Sequence, residues 1–350
     1  MPKHLPDRMR AMQIHAGGIL TRDYTGLRLD TLPVPEPGPG EVLIKVGRCG
    51  VCHTEIDEIE GRAPPASLPM TPGHQVVGQV VAEGPYCSYG LSGKQVGVAW
   101  IHSSCGQCSH CRKGLENLCA DFRATGMDRP GGYAQFMCAP EAFVHELPAG
   151  ISNSGAAPLL CAGAVGYRAL KLCRLEDGES LGLTGFGASA HLVLQMAKAL
   201  YPNSAVFVFA RDKKDREFAL ALGAQWAGET RENAPQKMDA IIDTTPAWQP
   251  VVSALEALAP NGRLVINAIR KESADHVSLN ELDYAHHLWR EKSLKTVANV
   301  TRKDVRNMLS LASRLSLEPQ LTLYPLEQAH QALLDIKSGA LKGAAVLDIN

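Results

Sequence analysis

Leu181–Leu200 reads LGLTGFGASAHLVLQMAKAL. Leu181–Thr184 is a short apolar run suited to a buried strand, a glycine-rich turn interrupts it, and the residues through Leu200 take helical apolar spacing. Gly185, Gly187 and Ala190 fall in the register G-x-G-x-x-A. The first glycine permits a tight turn and the second lets a pyrophosphate come against bare backbone. The third position needs a small residue where helix meets strand, and alanine meets that need. Alone the pattern is weak; between a strand and a helix it predicts a dinucleotide-binding turn.

Working outward, Ala205–Phe209 reads as a second strand, followed by a charged helix near Lys213–Leu222. Asp239–Asp243 and Arg263–Asn267 are further strands with a helical Pro250–Leu258 between them, and Ser293–Ala298 is another. Strands alternating with helices predict a doubly wound parallel sheet in an α/β protein. Residues 11–150 differ. Their runs are short and β-branched (Val42–Val46, Val76–Val81) and bounded by Gly and Pro, and PVPEPGPG at 33–40 is a stiff loop leading into a strand. The tail offers a helix at Leu326–Ser338 and a strand at Ala344–Ile349 that could return to the first half.

A chain of 350 residues predicts two domains. Its 35 basic and 36 acidic residues leave a net charge of −1, which gives no footprint for nucleic acid or an anionic membrane. Aromatic residues at 5% argue against a base-stacking surface. No apolar run reaches bilayer length, and Met1–Arg10 alternates proline and charge without an apolar h-region, so the expectation is a cytoplasmic protein. In that reducing compartment ten cysteines point to metal before disulfides.

Cys105, Cys108, Cys111 and Cys119 read C-x2-C-x2-C-x7-C. Zinc takes four soft donors in a tetrahedron, and a short loop supplies all four here; with no open position the site is structural. Unrelated thiols would sit in apolar sequence, whereas these lie among Ser, Gln, His, Arg and Lys. A second set is dispersed: Cys52 in GVCHTE, His74 in PGHQVVG and Cys161 in LLCAGAVGY. Two Cys and one His with a fourth position open is a known catalytic zinc set. Taken singly, His74 and Cys161 read more naturally as packed residues.

The segments PEPGPGEVLIKV, GVCHTE, PGHQVVG, the four-cysteine lobe, LLCAGAVGYRAL and TGFGASA succeed one another between about residues 33 and 190. Together they resemble the zinc-containing alcohol dehydrogenase branch of the medium-chain dehydrogenase/reductase superfamily, and the resemblance covers nearly the whole chain. It implies a GroES-like catalytic domain (1–157 with 294–350) and a Rossmann domain (158–293). It implies that Cys52, His74 and Cys161 hold catalytic zinc, that Thr54 relays the substrate proton, and that His53 contacts cofactor phosphate. Zinc then supplies a Lewis acid for the alcohol oxygen and the nicotinamide takes the hydride. On its own Thr54 also reads as a helix-capping turn residue. The resemblance further implies two zinc ions per chain and a small alcohol or aldehyde substrate, with a homodimer or homotetramer by analogy.

Three positions depart from the family pattern. Gln75 stands where a Glu usually comes after the ligand His, which removes a negative charge beside the metal. Glu55 replaces a common Asp that orients the ligands. Asp57 occupies the place of a His that ends the proton relay in relatives. The cofactor preference is read from the residues themselves. After the strand ending at Phe209 come Ala210 and Arg211, where an NAD site would place an acid on the ribose hydroxyls. Arg211 suits a 2′-phosphate, so NADP(H) is expected over NAD(H). The competing reading makes Arg211, Lys213 and Lys214 a solvated helix start, with Asp212 its cap.

Trp100 reads either as a pocket wall or as core. Cys49, Cys87, Cys138 and Cys173 read as buried thiols. His286 and His287 face different ways on a helix and are not paired ligands. Ala344 lies where relatives often carry an arginine toward the cofactor. The rivals are a zinc-free quinone or enoyl reductase of the same superfamily, an inactive relative that binds only cofactor, and a zinc-lobe nucleic-acid binder. The two ligand sets oppose the first, and the neutral charge opposes the last.

Overall fold

The computed structural model describes residues 5–317, 319–341 and 343–349. The chain divides into two compact units. One runs to Cys161 and resumes at Val300; the other is Ala162–Asn299.

The second unit holds a six-stranded parallel sheet. Its spatial order is Trp226–Gly228, Val206–Phe209, Leu181–Thr184, Met238–Asp243, Leu258–Ile266 and Ser293–Thr296. The chain starts in the middle, winds to one edge, returns and winds to the other, which is the doubly wound order the alternation predicted. Leu181–Thr184 and Val206–Phe209 are buried at every residue, as a sheet covered on both faces requires. The helices Ala190–Leu200, Lys213–Ala221 and Gln249–Ala257 supply the crossovers. Phe207, Ile241, Leu255 and Leu264 are packed into one buried cluster. Side chains of this size each contribute about 1.5–3 kcal/mol on full burial.

The first unit is built on a seven-stranded, mainly antiparallel sheet. Glu41–Val51 pairs with Val76–Glu83 and with Phe136–Pro140, and from Val76–Glu83 the order continues to Gln95–Val98 and Val144–Glu146. On the other side of Glu41–Val51 lies Ala344–Asp348, paired antiparallel so that Val51 faces Ala345. The tail strand thus returns to the first half, next to a parallel strand Leu321–Pro325. A hairpin of Arg8–Ile14 and Leu27–Pro33 stands beside the sheet.

Register in this sheet brings two of the anticipated zinc ligands together. Cys49 faces Val76, and Gly50 N–H donates to Gln75 O at 2.9 Å. Because the strands are antiparallel, the residues leaving the first, Cys52 onward, meet those entering the second, His74. The two ligands are 22 positions apart in sequence, and the ladder closes the gap.

Several local details exceed the sequence reading. The tail helix splits into a 3-10 turn, Leu326–Gln328, and a helix, Ala329–Lys337. A helix at Arg302–Leu315 was not anticipated, although Thr301 and Asp304 form its capping box. Cys49 and Cys173 are buried as expected, whereas Cys87 and Cys138 are only partly so. Cys138 ends up on a strand whose two faces are unequally covered.

Candidate active site

Cys52 ends the extended chain and begins the helix His53–Ile59. Its backbone N–H donates to Glu55 Oε2 at 2.8 Å, and its Sγ accepts from Thr54 N–H at 3.4 Å. The thiol thus accepts a backbone N–H at the start of the helix, while the neighbouring Cys161 sulfur, burial and the Glu55 carboxylate push its pKa well above the ordinary thiol value. Glu55 turns its other oxygen toward His74 Nδ1 at 2.8 Å, an electrostatic contact between two fully buried groups whose angle is poor for a hydrogen bond. His74 Nε2 then faces Cys52 Sγ at 3.6 Å. Trp100 closes the imidazole from the side, edge-on at 5.0 Å between centroids. It is buried and serves packing and His74 support together.

Cys161 arrives from a π-helical turn, Leu159–Gly163, between the helices Asn153–Pro158 and Ala164–Cys173. π turns insert an extra residue into a helix and re-aim its side chains, and they concentrate at functional sites. Leu159 and Leu160, both fully buried, anchor the turn; Leu160 packs so closely on Gly97 that a Cβ there would lie 2.7 Å from its Cδ2. The ligand atoms of Cys52, His74 and Cys161 all lie within 4.8 Å of one another. A tetrahedral zinc with Zn–S of about 2.3 Å and Zn–N of about 2.05 Å spaces S and N by about 3.6 Å. The Cys52–His74 separation fits that value.

The four-cysteine lobe passes the same test. Its sulfurs lie within 4.8 Å of one another, with Cys105–Cys119 at 3.5 Å and Cys105–Cys111 at 3.9 Å. Tetrahedral zinc–thiolate geometry calls for about 3.8 Å. Backbone N–H groups of Cys108 and Cys111 point at the sulfurs of Cys105 and Cys108, at 3.3 and 3.4 Å. Gly106 turns the loop at φ +71°, a conformation that suits glycine. Glu116 ties the lobe to the C-terminal segment, accepting from Arg302 N–H at 2.8 Å and Nε at 3.0 Å.

Of the other anticipated residues, Thr54 is buried on the helix behind Cys52, and His53 is exposed beside it. Gln75 is buried, with its Oε1 over Gly50 and its Nε2 without a hydrogen-bond partner. Asp57 is buried and ion-paired with Arg62 Nε at 2.6 Å. His286 is exposed and His287 buried, so they do not act together. Two buried groups beside Cys52 and His74 escaped the sequence reading. Neither carboxylate oxygen of Glu58 has a hydrogen-bond partner, and neither has the Tyr133 hydroxyl. Burial first, then Glu55, push both groups well above their ordinary pKa. Glu58 comes three residues after Glu55 on one helix, a spacing that was visible in the sequence.

In the second unit Gly185 adopts φ +78°, and a Cβ on it would meet Thr244 Oγ1 at 2.8 Å. Gly187 faces open space, where a ligand can reach the backbone, and Ala190 is fully buried at the helix start. Ser189, at the N-cap position, does not cap the helix: its Oγ donates to Ala162 O at 2.9 Å and accepts from Asn267 Nδ2 at 3.1 Å. The first N–H groups of Ala190–Leu200 lack a side-chain cap and suit an anion. Ala210 is buried, while the Arg211 side chain is 90% exposed and only 3.8 Å from Asp212 at its nearest. Asp212 stands at the N-cap without a capping hydrogen bond. Arg216, which sequence reasoning passed over in a charged helix, donates to Ala210 O and Arg211 O at 2.8 and 2.7 Å and fixes that loop. A cavity of about 720 Å³ lies near Thr184 and Phe209, walled by Thr230–Lys237; neither cysteine-containing ligand set lines it.

Residues 38–149 match the alcohol dehydrogenase GroES-like domain, and residues 190–314 match the zinc-binding dehydrogenase domain. The chain is 40% identical to the probable alcohol dehydrogenase AdhA of Mycobacterium tuberculosis, over 97% of both chains. A cinnamyl alcohol dehydrogenase from Sorghum bicolor superposes with a TM-score of 0.82 at 25% identity, over 97% of each chain. An acetophenone reductase from Geotrichum candidum, solved in complex with NAD, superposes with a TM-score of 0.82 at 25% identity, over 99% of each.

Proposed function

Because this chain belongs to the zinc-containing alcohol dehydrogenases of the medium-chain dehydrogenase/reductase superfamily, enzymes that move a hydride between an alcohol and a nicotinamide cofactor, we propose that it carries two zinc ions per chain and prefers NADP(H). The observation that carries the zinc count is the pair of ligand clusters, each with its ligand atoms within 4.8 Å of one another. Cys52, His74 and Cys161 would hold the catalytic ion with one position open, and Cys105, Cys108, Cys111 and Cys119 would close on the structural one.

Bound zinc supplies a Lewis acid for the substrate oxygen, and the bound nicotinamide exchanges the hydride. The chain's own residues do the rest. Glu55 holds Cys52 and His74 in place from behind. Thr54, on the helix that starts at Cys52, takes the proton of the substrate hydroxyl. Asp57 is engaged by Arg62, which leaves water as the acceptor beyond Thr54. Gln75 keeps the second carboxylate charge away from the metal. The uncapped helix behind Gly185, Gly187 and Ala190 receives the pyrophosphate, His53 adds a phosphate contact, and Arg211 receives the 2′-phosphate.

The substrate is a small alcohol or the corresponding aldehyde or ketone. Metal analysis of protein expressed with ample zinc should give two zinc ions per chain, and a panel of alcohols and aldehydes should show turnover with NADP(H). One zinc, or none, would sink the two-site reading. Thr54→Ala should lower kcat by roughly 10²–10⁴-fold, the usual worth of a positioned proton-transfer group, while Thr54→Ser keeps most of it. An Ala variant as fast as the native enzyme would remove Thr54 from the relay.

The cellular setting proposed is the cytoplasm, where all ten cysteines, none of them in a disulfide, stay available as thiols or metal ligands. No helix among the described residues is long and apolar enough to cross a membrane. The partner is a second copy of the chain, in a homodimer or a tetramer built from it. Ser293–Thr296 is an open sheet edge with all four residues exposed, and Val277, Tyr284, Leu288 and Trp289 are exposed in the segment leading to it. Edge-to-edge pairing about a twofold axis satisfies two such edges at once. A solution mass of one chain would argue against it.

A further inference from the structure

Asp243 ends its strand with no exposed surface. A carboxylate there needs partners, and the structure supplies them. Thr184 Oγ1 donates to Oδ1 at 2.6 Å from the neighbouring strand, Thr245 Oγ1 donates to the same oxygen at 2.8 Å, and the ammonium of Lys271 pairs with Oδ2. Lys271 is itself nine-tenths buried along its side chain. Its remaining donors go to Thr245 O at 2.8 Å and Ala247 O at 2.9 Å. An ammonium has three N–H groups, and all three are spent inside the protein. None is left for a ligand phosphate, so Lys271 acts through the loop it holds.

That loop stands at a decisive place. The strands Leu181–Thr184 and Met238–Asp243 are neighbours with Thr184 facing Asp243, and the sheet winds away from them in opposite directions. Ligands of open α/β sheets enter at such a switch point, beyond the carboxyl ends of the strands. Thr244 and Thr245 come directly after, and they fill the space beside Gly185: a Cβ there would meet Thr244 Oγ1 at 2.8 Å and Thr245 Cγ2 at 3.0 Å. Thr244 also bonds Thr184 O through both its N–H, at 2.9 Å, and its hydroxyl, at 3.0 Å. Glu272 N–H reaches back to Pro246 O at 2.7 Å, so the two post-strand segments are sewn together around Lys271.

We propose that Lys271 is a positioning residue for cofactor binding: it clamps the Thr244–Ala247 loop against the first glycine of the Gly185–Ala190 turn and so fixes the crevice that receives the dinucleotide. The proposal rests on the reading that the nicotinamide cofactor lies along that turn. It separates two kinds of cation in the unit. Arg211, exposed at the end of the next strand, selects between cofactors; Lys271, buried and saturated, serves both alike.

The test is a titration of the zinc-loaded enzyme with NADPH and with NADH, following tryptophan fluorescence, alongside thermal unfolding. Lys271→Met should raise both dissociation constants roughly tenfold or more through lost preorganisation, and leave their ratio within about twofold. Lys271→Arg should fall between, since its donors reach the same acceptors. Removing one partner of a buried pair also destabilises, and removing both relieves that. The double variant Asp243→Asn with Lys271→Met should therefore regain most of the Tm while cofactor binding stays weak, because the carbonyls of Thr245 and Ala247 remain unheld. Unchanged dissociation constants in Lys271→Met, a loss confined to NADPH, or recovery of binding together with Tm in the double variant would each overturn the proposal. Should Lys271→Met fail to fold, the arginine and double variants decide it. Native enzyme that binds neither cofactor would instead remove the reading on which the proposal stands.

Discussion

Cys161→Ser should abolish alcohol-dependent turnover, with kcat down by roughly a thousandfold or more, because Lewis-acid stabilisation is worth several kcal/mol and each 1.4 kcal/mol is about tenfold. The replacement trades a soft sulfur for a hard hydroxyl at a position where two thiolates and one imidazole are brought within 4.8 Å. Cys161 is only partly buried, and the turn that carries it is anchored by Leu159 and Leu160, so the fold should survive with Tm nearly unchanged. Zinc content should drop from two ions to one. Cys105→Ser should do the reverse: it opens a loop whose shape depends on the metal, so stability falls before catalysis is touched. Full activity and two zinc ions in Cys161→Ser would refute the ligand assignment.

Exchanging the pair after the second strand should reverse the cofactor preference. Arg211 is 90% exposed and makes no strong ion pair, so its guanidinium is available to a 2′-phosphate. A charge-assisted contact of that kind is worth about 1.5–3 kcal/mol, which predicts at least about tenfold in kcat/KM for NADPH over NADH. Ala210→Asp with Arg211→Ala installs a carboxylate that accepts from ribose hydroxyls and repels the phosphate. Arg216 keeps the loop in place in either form, through the carbonyls of residues 210 and 211, so the exchange should not disturb folding. Lys213 is partly engaged with Glu217 at 3.6 Å and contributes little. Equal use of both cofactors by the native enzyme at low salt, or an unchanged ratio in the double variant, would refute the assignment.

The doubly wound sheet was legible because its signals are local. Leu181–Thr184 appears in the structure with the bounds read from the apolar run, and the crossover helices differ by a residue or two at their ends. The lobe was legible for the same reason, since its four sulfurs are supplied within fifteen residues. Cys161 was a different case. Its residue type was visible, but the π turn that aims it was not, because an extra residue in a helix leaves no periodic signature. The network of Asp243, Thr184 and Lys271 joins segments that share no spacing, so only the folded sheet reveals it. The helix Arg302–Leu315 was missed although a signal for it was present: Thr301 and Asp304 stand at capping-box spacing before an amphipathic run.

The strand Glu41–Val51 leads directly into Cys52, yet one of its two flanking ladders comes from Ala344–Asp348. During synthesis the ribosome delivers that partner roughly 15–60 s after Val51, at about 5–20 residues per second. Until then the chain carries an unpaired edge beside the Cys52 thiol, while the Rossmann unit, continuous in sequence from Ala162 to Asn299, has everything it needs to close. The expected order of assembly therefore differs from the order of translation: the continuous middle segment can close before the first unit, whose sheet waits for its tail strand. A chaperone that shields exposed edges has its window here, and a nascent chain arrested before residue 344 should remain protease-sensitive around Cys52 with its nucleotide-binding half already resistant.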